Sequence, residues 1–369
     1  MRLSIARSEL IEALGVVSRG MSSRSTLPIL SGILLDASSE SGMLTLQATD
    51  LEVSVKHSSP ALIEQAGTIV VPGRLLSDII RSLPEAAITL ETEGDKMLVH
   101  CQQSSFTVKT MNPSDFPKFP AVDVDSSLNI DSGVLSSMVR KVSKSVSRDE
   151  TRAVLTGVLF VIEGAQARMV ATDSYRLAVD EVLLEEPVAT DVEVIIPGRA
   201  LEEASKISTG PTMTIGVSEN QVVFTSDTTT FICRRIEGSF PNYRQLLPQK
   251  SGEETTVTIS KDELLSAVKR VSLLALHNTP LRVSVNVEDQ TLSLSANTQD
   301  VGDASEDLMV KAEGPDVEIA FNHAFLADGL AAISTDLVSL HIQSALKPGL
   351  LEAGEGEDFR YLLMPVRLS

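Results

Sequence analysis

Cysteine is scarce in this chain: Cys101 and Cys233 are the only two in 369 residues. They stand in strand-like text at non-equivalent places, which argues against a disulfide framework and for buried free thiols. No apolar run approaches the ~20 residues that a membrane helix needs. Met1-Arg2-Leu3-Ser4-Ile5 lacks the apolar stretch of a signal peptide, so a reducing, cytoplasmic setting is expected. The chain has no G-x-x-x-x-G-K-[ST] segment and no G-x-G-x-x-G after a strand. His57, His100, His277, His323 and His341 are scattered without metal-ligand spacing, and Thr172-Asp173-Ser174 has no evident base beside it to activate a nucleophile. No catalytic residue, metal or cofactor is therefore expected. Basic residues are outnumbered 31 to 50, a net charge of −19, which argues against a general nucleic-acid coating protein. That inference is global, whereas binding surfaces are local.

What the chain does have is repetition. Ile69-Val70-Val71-Pro72-Gly73-Arg74-Leu75-Leu76 recurs as Val194-Ile195-Ile196-Pro197-Gly198-Arg199-Ala200-Leu201. A worn copy follows as Ile319-Ala320-Phe321-Asn322-His323-Ala324-Phe325-Leu326. Pro72, Pro197 and Asn322 are spaced by 125 residues each time. Leu30-Ser31-Gly32-Ile33-Leu34 matches Leu155-Thr156-Gly157-Val158-Leu159 at the same spacing, and Ala48-Thr49-Asp50 matches Ala171-Thr172-Asp173 and, loosely, Ala296-Asn297-Thr298. Recurring strand grammar could explain one such match but not a set in register. The chain reads as three copies of one unit, with boundaries giving 1–124, 125–252 and 253–369.

Each unit reads as two helices and about eight strands, an α+β layer arrangement. In the first, a helix over 8–18 carries Leu10, Ile11, Leu14 and Val17 on one face, with Ser8 as its N-cap. A second helix starts after Pro72-Gly73, with Leu75, Leu76, Ile79, Ile80 and Leu83 on its buried side. The later helices are expected at 131–147, 198–208, 261–272 and 322–334.

Taking 7–19 and 73–82 for the first two, the six helices hold twelve basic and nine acidic residues. They carry a charge of about +3 while the rest of the chain carries about −22. For any single helix, an ordinary solvated face explains this. Six helices sharing the bias suggest a layer that faces a polyanion, with an acidic exterior. Equivalent repeats joined head to tail either close into a ring or grow into a filament. Six helices, each ~10 Å across, leave a central hole of only ~9 Å, whereas twelve leave ~28 Å, enough for a duplex. Two chains are the smallest assembly that works.

Four further phrases stand out: Thr26-Leu27-Pro28-Ile29-Leu30, Ala171-Thr172-Asp173 with Arg176-Leu177-Ala178-Val179, Phe240-Pro241-Asn242-Tyr243-Arg244, and Leu363-Met364-Pro365-Val366-Arg367-Leu368. In these the text resembles the bacterial DNA polymerase III beta subunit family, the processivity sliding clamps, over essentially its whole length. The resemblance implies three tandem clamp repeats and a head-to-tail homodimeric ring of six domains, sheets outside and helices inside, around duplex DNA. It implies sequence-independent DNA binding and no catalytic chemistry. A clamp needs weak phosphate attraction without base reading, which suits a mildly positive helix layer.

By resemblance, the DNA-facing residues are Arg24, Arg74, Arg140, Lys141, Lys144, Arg148, Arg152 and Arg199. Each taken singly is as consistent with a solvated charge as with a DNA contact. The implied partners are the replicative polymerase alpha subunit, the clamp loader, and other polymerases and repair proteins, all bound through short peptides. Their pocket would involve Leu155, Thr172, Ser174, Tyr175, Arg176, Leu177, Pro241, Leu246, Asn322, Phe325, Leu362, Leu363, Met364, Pro365, Val366 and Arg367. Leu177, Leu246, Leu363 and Met364 would form an apolar cup, with Arg176 anchoring a polar end. Ser174-Tyr175 and Lys347-Pro348-Gly349-Leu350 depart from the family pattern at the pocket rim. The dimer seam would set Phe106 and Val108 against Leu273 and Leu274. Asp300, Asp303, Glu306 and Asp307 would pair with Arg74, Lys96 or Lys109.

Two other classes remain open from the residues alone. A structural protein built of three β-rich repeats would be a monomer with surface clusters unrelated to the helices. An enzyme with a site at a repeat junction would turn over a substrate.

Overall fold

The computed structural model describes residues 1–22, 27–188, 190–207, 210–248, 252–275 and 279–367. The first repeat runs β1 (Arg2–Ala6), α1 (Arg7–Val17), β2 (Gly32–Ser38), β3 (Met43–Thr49), β4 (Val53–Pro60), β5 (Leu62–Gln65), β6 (Gly67–Pro72), α2 (Gly73–Ser82), β7 (Ala87–Glu93), β8 (Lys96–Cys101) and β9 (Ser104–Lys109). The second runs β10 (Ser126–Asp131), α3 (Ser132–Val142), β11 (Gly157–Glu163), β12 (Gln166–Thr172), β13 (Arg176–Leu183), β14 (Val192–Pro197), α4 (Gly198–Ser205), β15 (Thr212–Val217), β16 (Gln221–Ser226) and β17 (Thr229–Arg234). The third runs β18 (Thr255–Ser260), α5 (Lys261–Val271), β19 (Leu281–Asn286), β20 (Thr291–Thr298), β21 (Gly302–Met309), β22 (Lys311–Glu313), β23 (Val317–Phe321), α6 (His323–Ala332), β24 (Leu337–Ile342), β25 (Gly349–Ala353) and β26 (Asp358–Leu363). Two helices per unit are present, as the periodicity implies.

The chain divides into two compact units, Met1–Leu135 with Glu203–Arg235, and Ser136–Glu202 with Ile236–Ser369. The first unit holds a five-stranded sheet, β5-β1-β7-β8-β9, and an eight-stranded sheet, β10-β15-β16-β17-β4-β3-β2-β6. The second holds a nine-stranded sheet, β14-β11-β12-β13-β26-β25-β24-β18-β22, and a four-stranded sheet, β21-β20-β19-β23. Repeat and unit therefore do not coincide. The eight-stranded sheet is completed where β17 pairs antiparallel with β4, Phe231 opposite Val55. The nine-stranded sheet is completed where β13 pairs with β26, Ala178 opposite Tyr361.

The recurring phrases mark close approaches. Gly32 is paired with Pro72 and Gly157 with Pro197, so the first two repeats share one register. Gly73 opens α2 where a Cβ would meet the Met21 sulfur at 2.2 Å and Ile33 at 2.9 Å. Gly198 opens α4 where a Cβ would meet Val146 at 2.9 Å. The third copy starts its helix by a different device. The Asn322 side chain accepts hydrogen bonds from the Ala324 and Phe325 amides at 2.9 and 3.2 Å, and so caps α6.

Thr-Asp recurs because it builds a turn. The Thr49 hydroxyl donates to the Val53 carbonyl at 2.9 Å, and Asp50 Oδ1 accepts from the Glu52 and Val53 amides. Thr172 and Asp173 repeat this with Arg176, Tyr175 and Arg176 again. Both turns place the next residue in the left-handed region, Leu51 at φ 79° and Ser174 at φ 77°.

Three helix expectations need correction. Ser8 is not a cap: α1 begins at Arg7 straight from β1, and its N-cap, Ala6, offers no side-chain bond. Leu75 is exposed, because Leu76, Ile79 and Ile80 form the inner stripe of α2. α3 ends at Val142 and gives way to a 3-10 turn over Ser143–Ser145. Cys101 and Cys233 are buried free thiols, and burial pushes Cys233 up to about 12.

Candidate nucleic-acid and peptide interfaces

The helix-borne cations separate into two sets. Arg7 pairs with Glu85, Arg19 with Glu203, Lys206 with Glu203, and Arg270 with Glu306. Arg74, Arg148 and Arg199 are exposed and have no ion-pair partner among the described residues. Arg140 is exposed and donates to the Ser334 hydroxyl at 3.3 Å. Lys144 is exposed and sits 3.2 Å from Asp328. Arg152 is exposed, pairs with Asp149 at 3.1 Å and donates to the Ser174 hydroxyl at 2.9 Å. Arg24 lies outside the described residues.

Lys141 is the exception. Its ammonium is buried against Asp180 at 2.8 Å and Glu357 at 3.2 Å, so it cannot present charge to a phosphate. The signal was in the spacing. Lys141 follows Met138 by three positions and so borders the inward stripe of Leu135, Met138, Val139 and Val142. Arg140, on α3, and Lys144, in the 3-10 turn that follows it, are both exposed.

The expected pocket residues also separate. A cleft of about 460 Å3 is lined by Tyr175, Thr279, Pro280, Asn322, Phe325, Met364, Pro365 and Val366. Six of these eight are among the residues that the resemblance implies for a pocket. Thr279 and Pro280 were missed, for they lie just before β19 in text with no repeated counterpart. Arg367 lines an adjoining cleft of about 610 Å3 that shares Thr279, Pro280 and Val366. Pro241 and Leu246 are exposed.

Several of the remaining expected residues are buried. Leu177 and Leu362 belong to a buried cluster with Leu159, Val161, Val170, Val179, Ile195 and Tyr243. Leu155 and Leu363 are buried too. Leu177 and Leu363 therefore do not form one cup: β13 pairs with β26 so that Leu177 opposes Leu362 and Arg176 opposes Leu363, which puts the two leucines on opposite faces of the sheet. Thr172 is buried as the turn former already described, and Ser174 follows it on the rim.

Arg176 is not a free anchor. Its guanidinium bonds Asp173 Oδ2 at 3.0 Å, Asp328 Oδ2 at 2.7 Å, the Tyr361 hydroxyl at 3.2 Å, and the Lys144 carbonyl. It lies 4.3 Å from the centroid of the Phe325 ring. Burial works against its charge, but Tyr361 and Asp328 outweigh that and raise its pKa. The Tyr361 hydroxyl in turn donates to the Phe325 carbonyl at 3.0 Å, while burial pushes its own pKa up to about 12. Tyr175, 63% exposed, stands beside Phe325 with ring centroids 6.5 Å apart. The cleft is thus an apolar and aromatic surface on a charged foundation held by four hydrogen bonds of Arg176. The Met364 amide donates to the Tyr175 carbonyl at 2.9 Å, which fixes the segment after β26 against the turn.

At the expected dimer seam, Val108 is buried in its own sheet and so is not available to a partner. Phe106 is half-buried on the same face of β9, Leu273 is 75% exposed, and Leu274 is half-buried. Glu306 is held by Arg270 within the chain, at 3.0 Å from its Nε, which lowers the carboxyl pKa. Asp300 and Asp303 are exposed, and Asp307 accepts from the Ser293 hydroxyl at 2.6 Å.

Three tandem two-helix units whose strands complete common sheets define a clamp-fold protein. The family described as DNA polymerase III beta subunit matches by its N-terminal domain over residues 1–120, its central domain over 129–242 and its C-terminal domain over 244–367. The beta sliding clamp of Streptomyces coelicolor is 36% identical, with both chains covered at 100%. That of Staphylococcus aureus is 32% identical, covering 100% of this chain and 99% of the relative. Among solved structures, the DNA polymerase sliding clamp of Bacillus subtilis has a TM-score of 0.93 at 28% identity, with 100% of each chain covered. A Pseudomonas aeruginosa sliding clamp bound to griselimycin has a TM-score of 0.92 at 28% identity, again with 100% of each chain covered. The chain belongs to the DNA polymerase III beta subunit family. Its role is that of a DNA sliding clamp in replication, a processivity factor and not an enzyme.

Proposed function

We propose that two copies of the chain close head to tail into a ring around duplex DNA. The observation that carries this is that β9 ends the five-stranded sheet and β21 ends the four-stranded sheet. β17 corresponds to β9, and β4 and β13 correspond to β21: Ala48 opposite Val55, Ala171 opposite Ala178 and Ala296 opposite Ala304 are the same pair in three repeats. Within the chain, β17 pairs with β4 and β26 with β13. The third equivalent pair, β9 with β21, requires a second copy. Copying the register of Phe231 opposite Val55 sets Phe106 opposite the partner's Ala304.

In this reading the three clamp repeats span 1–124, 125–252 and 253–369. Arg74, Arg140, Lys144, Arg148, Arg152 and Arg199 supply sequence-independent attraction to phosphates. The cleft around Phe325 and Met364 takes short peptides of the polymerase alpha subunit, the clamp loader and repair proteins. Methionine and aromatic side chains suit varied apolar clients. The ring works in the cytoplasm.

Topological binding is tested on DNA of two shapes. The ring, loaded on a closed duplex circle, is expected to stay until the circle is linearised and then to leave. Equal retention on both forms refutes it. Removing residues 364–368 is expected to abolish binding of the polymerase alpha subunit and spare dimerisation; retained binding refutes the peptide cleft.

A further inference from the structure

We propose that Asp328 is a positioning residue that links the DNA-facing surface to the peptide cleft. The inference rests on the reading of those two surfaces given above. Asp328, on α6, divides its carboxylate between two cations with different neighbours. Oδ1 accepts from Lys144 Nζ at 3.2 Å, and Oδ2 accepts from Arg176 Nη1 at 2.7 Å. Lys144 is an exposed member of the phosphate-binding set, with a side chain 58% accessible. Arg176 is buried beneath the cleft, 4.3 Å from the centroid of the Phe325 ring.

One carboxylate held by two cations cannot give its best geometry to both. When a phosphate takes Lys144, Oδ1 is released. The carboxylate can then turn to meet the Arg176 fork through both oxygens, the stronger arrangement for a guanidinium. Arg176 is thereby held more firmly under Phe325, directly through the ring face and through the Tyr361 hydroxyl, which bonds both Arg176 and the Phe325 carbonyl. The sign follows: DNA engagement tightens the floor of the cleft, so a clamp on DNA binds client peptide better than a free clamp. Linkage is reciprocal, so a bound client also strengthens the hold on DNA. Arg152 offers a parallel tie, since it donates to the hydroxyl of Ser174, which precedes Tyr175 on the cleft rim.

Because one member of the pair is exposed, the effect is modest, about two- to fivefold in peptide affinity. The probe is a fluorescent hexapeptide ending in Leu-Phe, titrated onto the full-length protein, free or loaded on a closed duplex circle. The wild type is expected to bind two- to fivefold tighter on DNA. Lys144→Gln should bind the peptide more tightly than wild type when free and show no further gain on DNA. Asp328→Asn should bind more weakly in both states and also lose the gain. Lys311→Gln, which removes a positive charge elsewhere, should keep it. A DNA-dependent gain in Lys144→Gln equal to that of the wild type overturns the proposal, as does wild-type behaviour of Asp328→Asn. Met364→Ala separates the two levels. If it abolishes binding while Asp328→Asn does not alter it, the link fails and the cleft stands. If it leaves binding intact, the cleft assignment itself fails.

Discussion

Lys141 and Asp180 meet 2.8 Å apart in a fully buried setting, with Glu357 closing the other side of the ammonium. A lysine inside a run of exposed cations thus serves stability instead of DNA. Breaking a buried pair strands a charge, so Lys141→Ala is expected to cost about 3–5 kcal/mol of stability. Arg140→Gln, one residue away, should cost less than about 0.5 kcal/mol and yet shorten residence on circular DNA. Chemical denaturation and DNA retention, measured together, check both. Normal stability in Lys141→Ala would refute the pairing.

Asp180 gives a pH signature. Burial pushes its carboxyl up to about 6, against the pull of Lys141, which acts to lower it. A carboxyl whose folded pKa lies above its unfolded value contributes stability that is present below about pH 4 and is lost as pH rises through about 6. The loss is on the order of 3 kcal/mol. Denaturation curves from pH 4 to 7 should show this slope, and Asp180→Asn should remove it. An NMR titration should place the Asp180 midpoint near pH 6.

The two Thr-Asp turns allow a paired comparison. Asp173→Ala removes the acceptor for the Tyr175 and Arg176 amides and a half-buried partner of the Arg176 guanidinium. It should cost about 2–3 kcal/mol and weaken client binding. Asp50→Ala removes the same turn bonds without an arginine, so it should cost about 1 kcal/mol and leave client binding intact. Calorimetry with peptide titration tests the contrast; equal effects of the two variants on binding would refute it.

The seam register is open to chemistry. Directly opposed residues of an antiparallel pair bring their Cβ atoms to about 4.5–5.5 Å. Phe106→Cys combined with Ala304→Cys should therefore yield a cross-linked dimer on oxidation, while either single variant yields none. The native thiols, both buried, should not interfere. A dimer seen by light scattering that resists cross-linking would refute the register.

Much of the architecture was legible because its causes are local. Pro-Gly-Arg marks a helix start where backbone and core approach closely, and Thr-Asp marks a turn closed by side chains within four residues of each other. Asn322 was legible as a departure, and it proves to be a cap. The burial of Leu177, Leu363 and Val108 was harder to read, because each lies on a strand whose inward face is set by its neighbours. Thr279 and Pro280 carry no periodic signal at all.

The sequence by itself determined the threefold unit, its two helices and the turns, since these depend on contacts a few residues long. Only the tertiary structure decided which charges face solvent. Lys141 and Asp180 are 39 residues apart, and Arg176 and Asp328 are 152 apart. Whether a cation reaches outward or is held within depends on partners that only the folded sheets and helices bring to it.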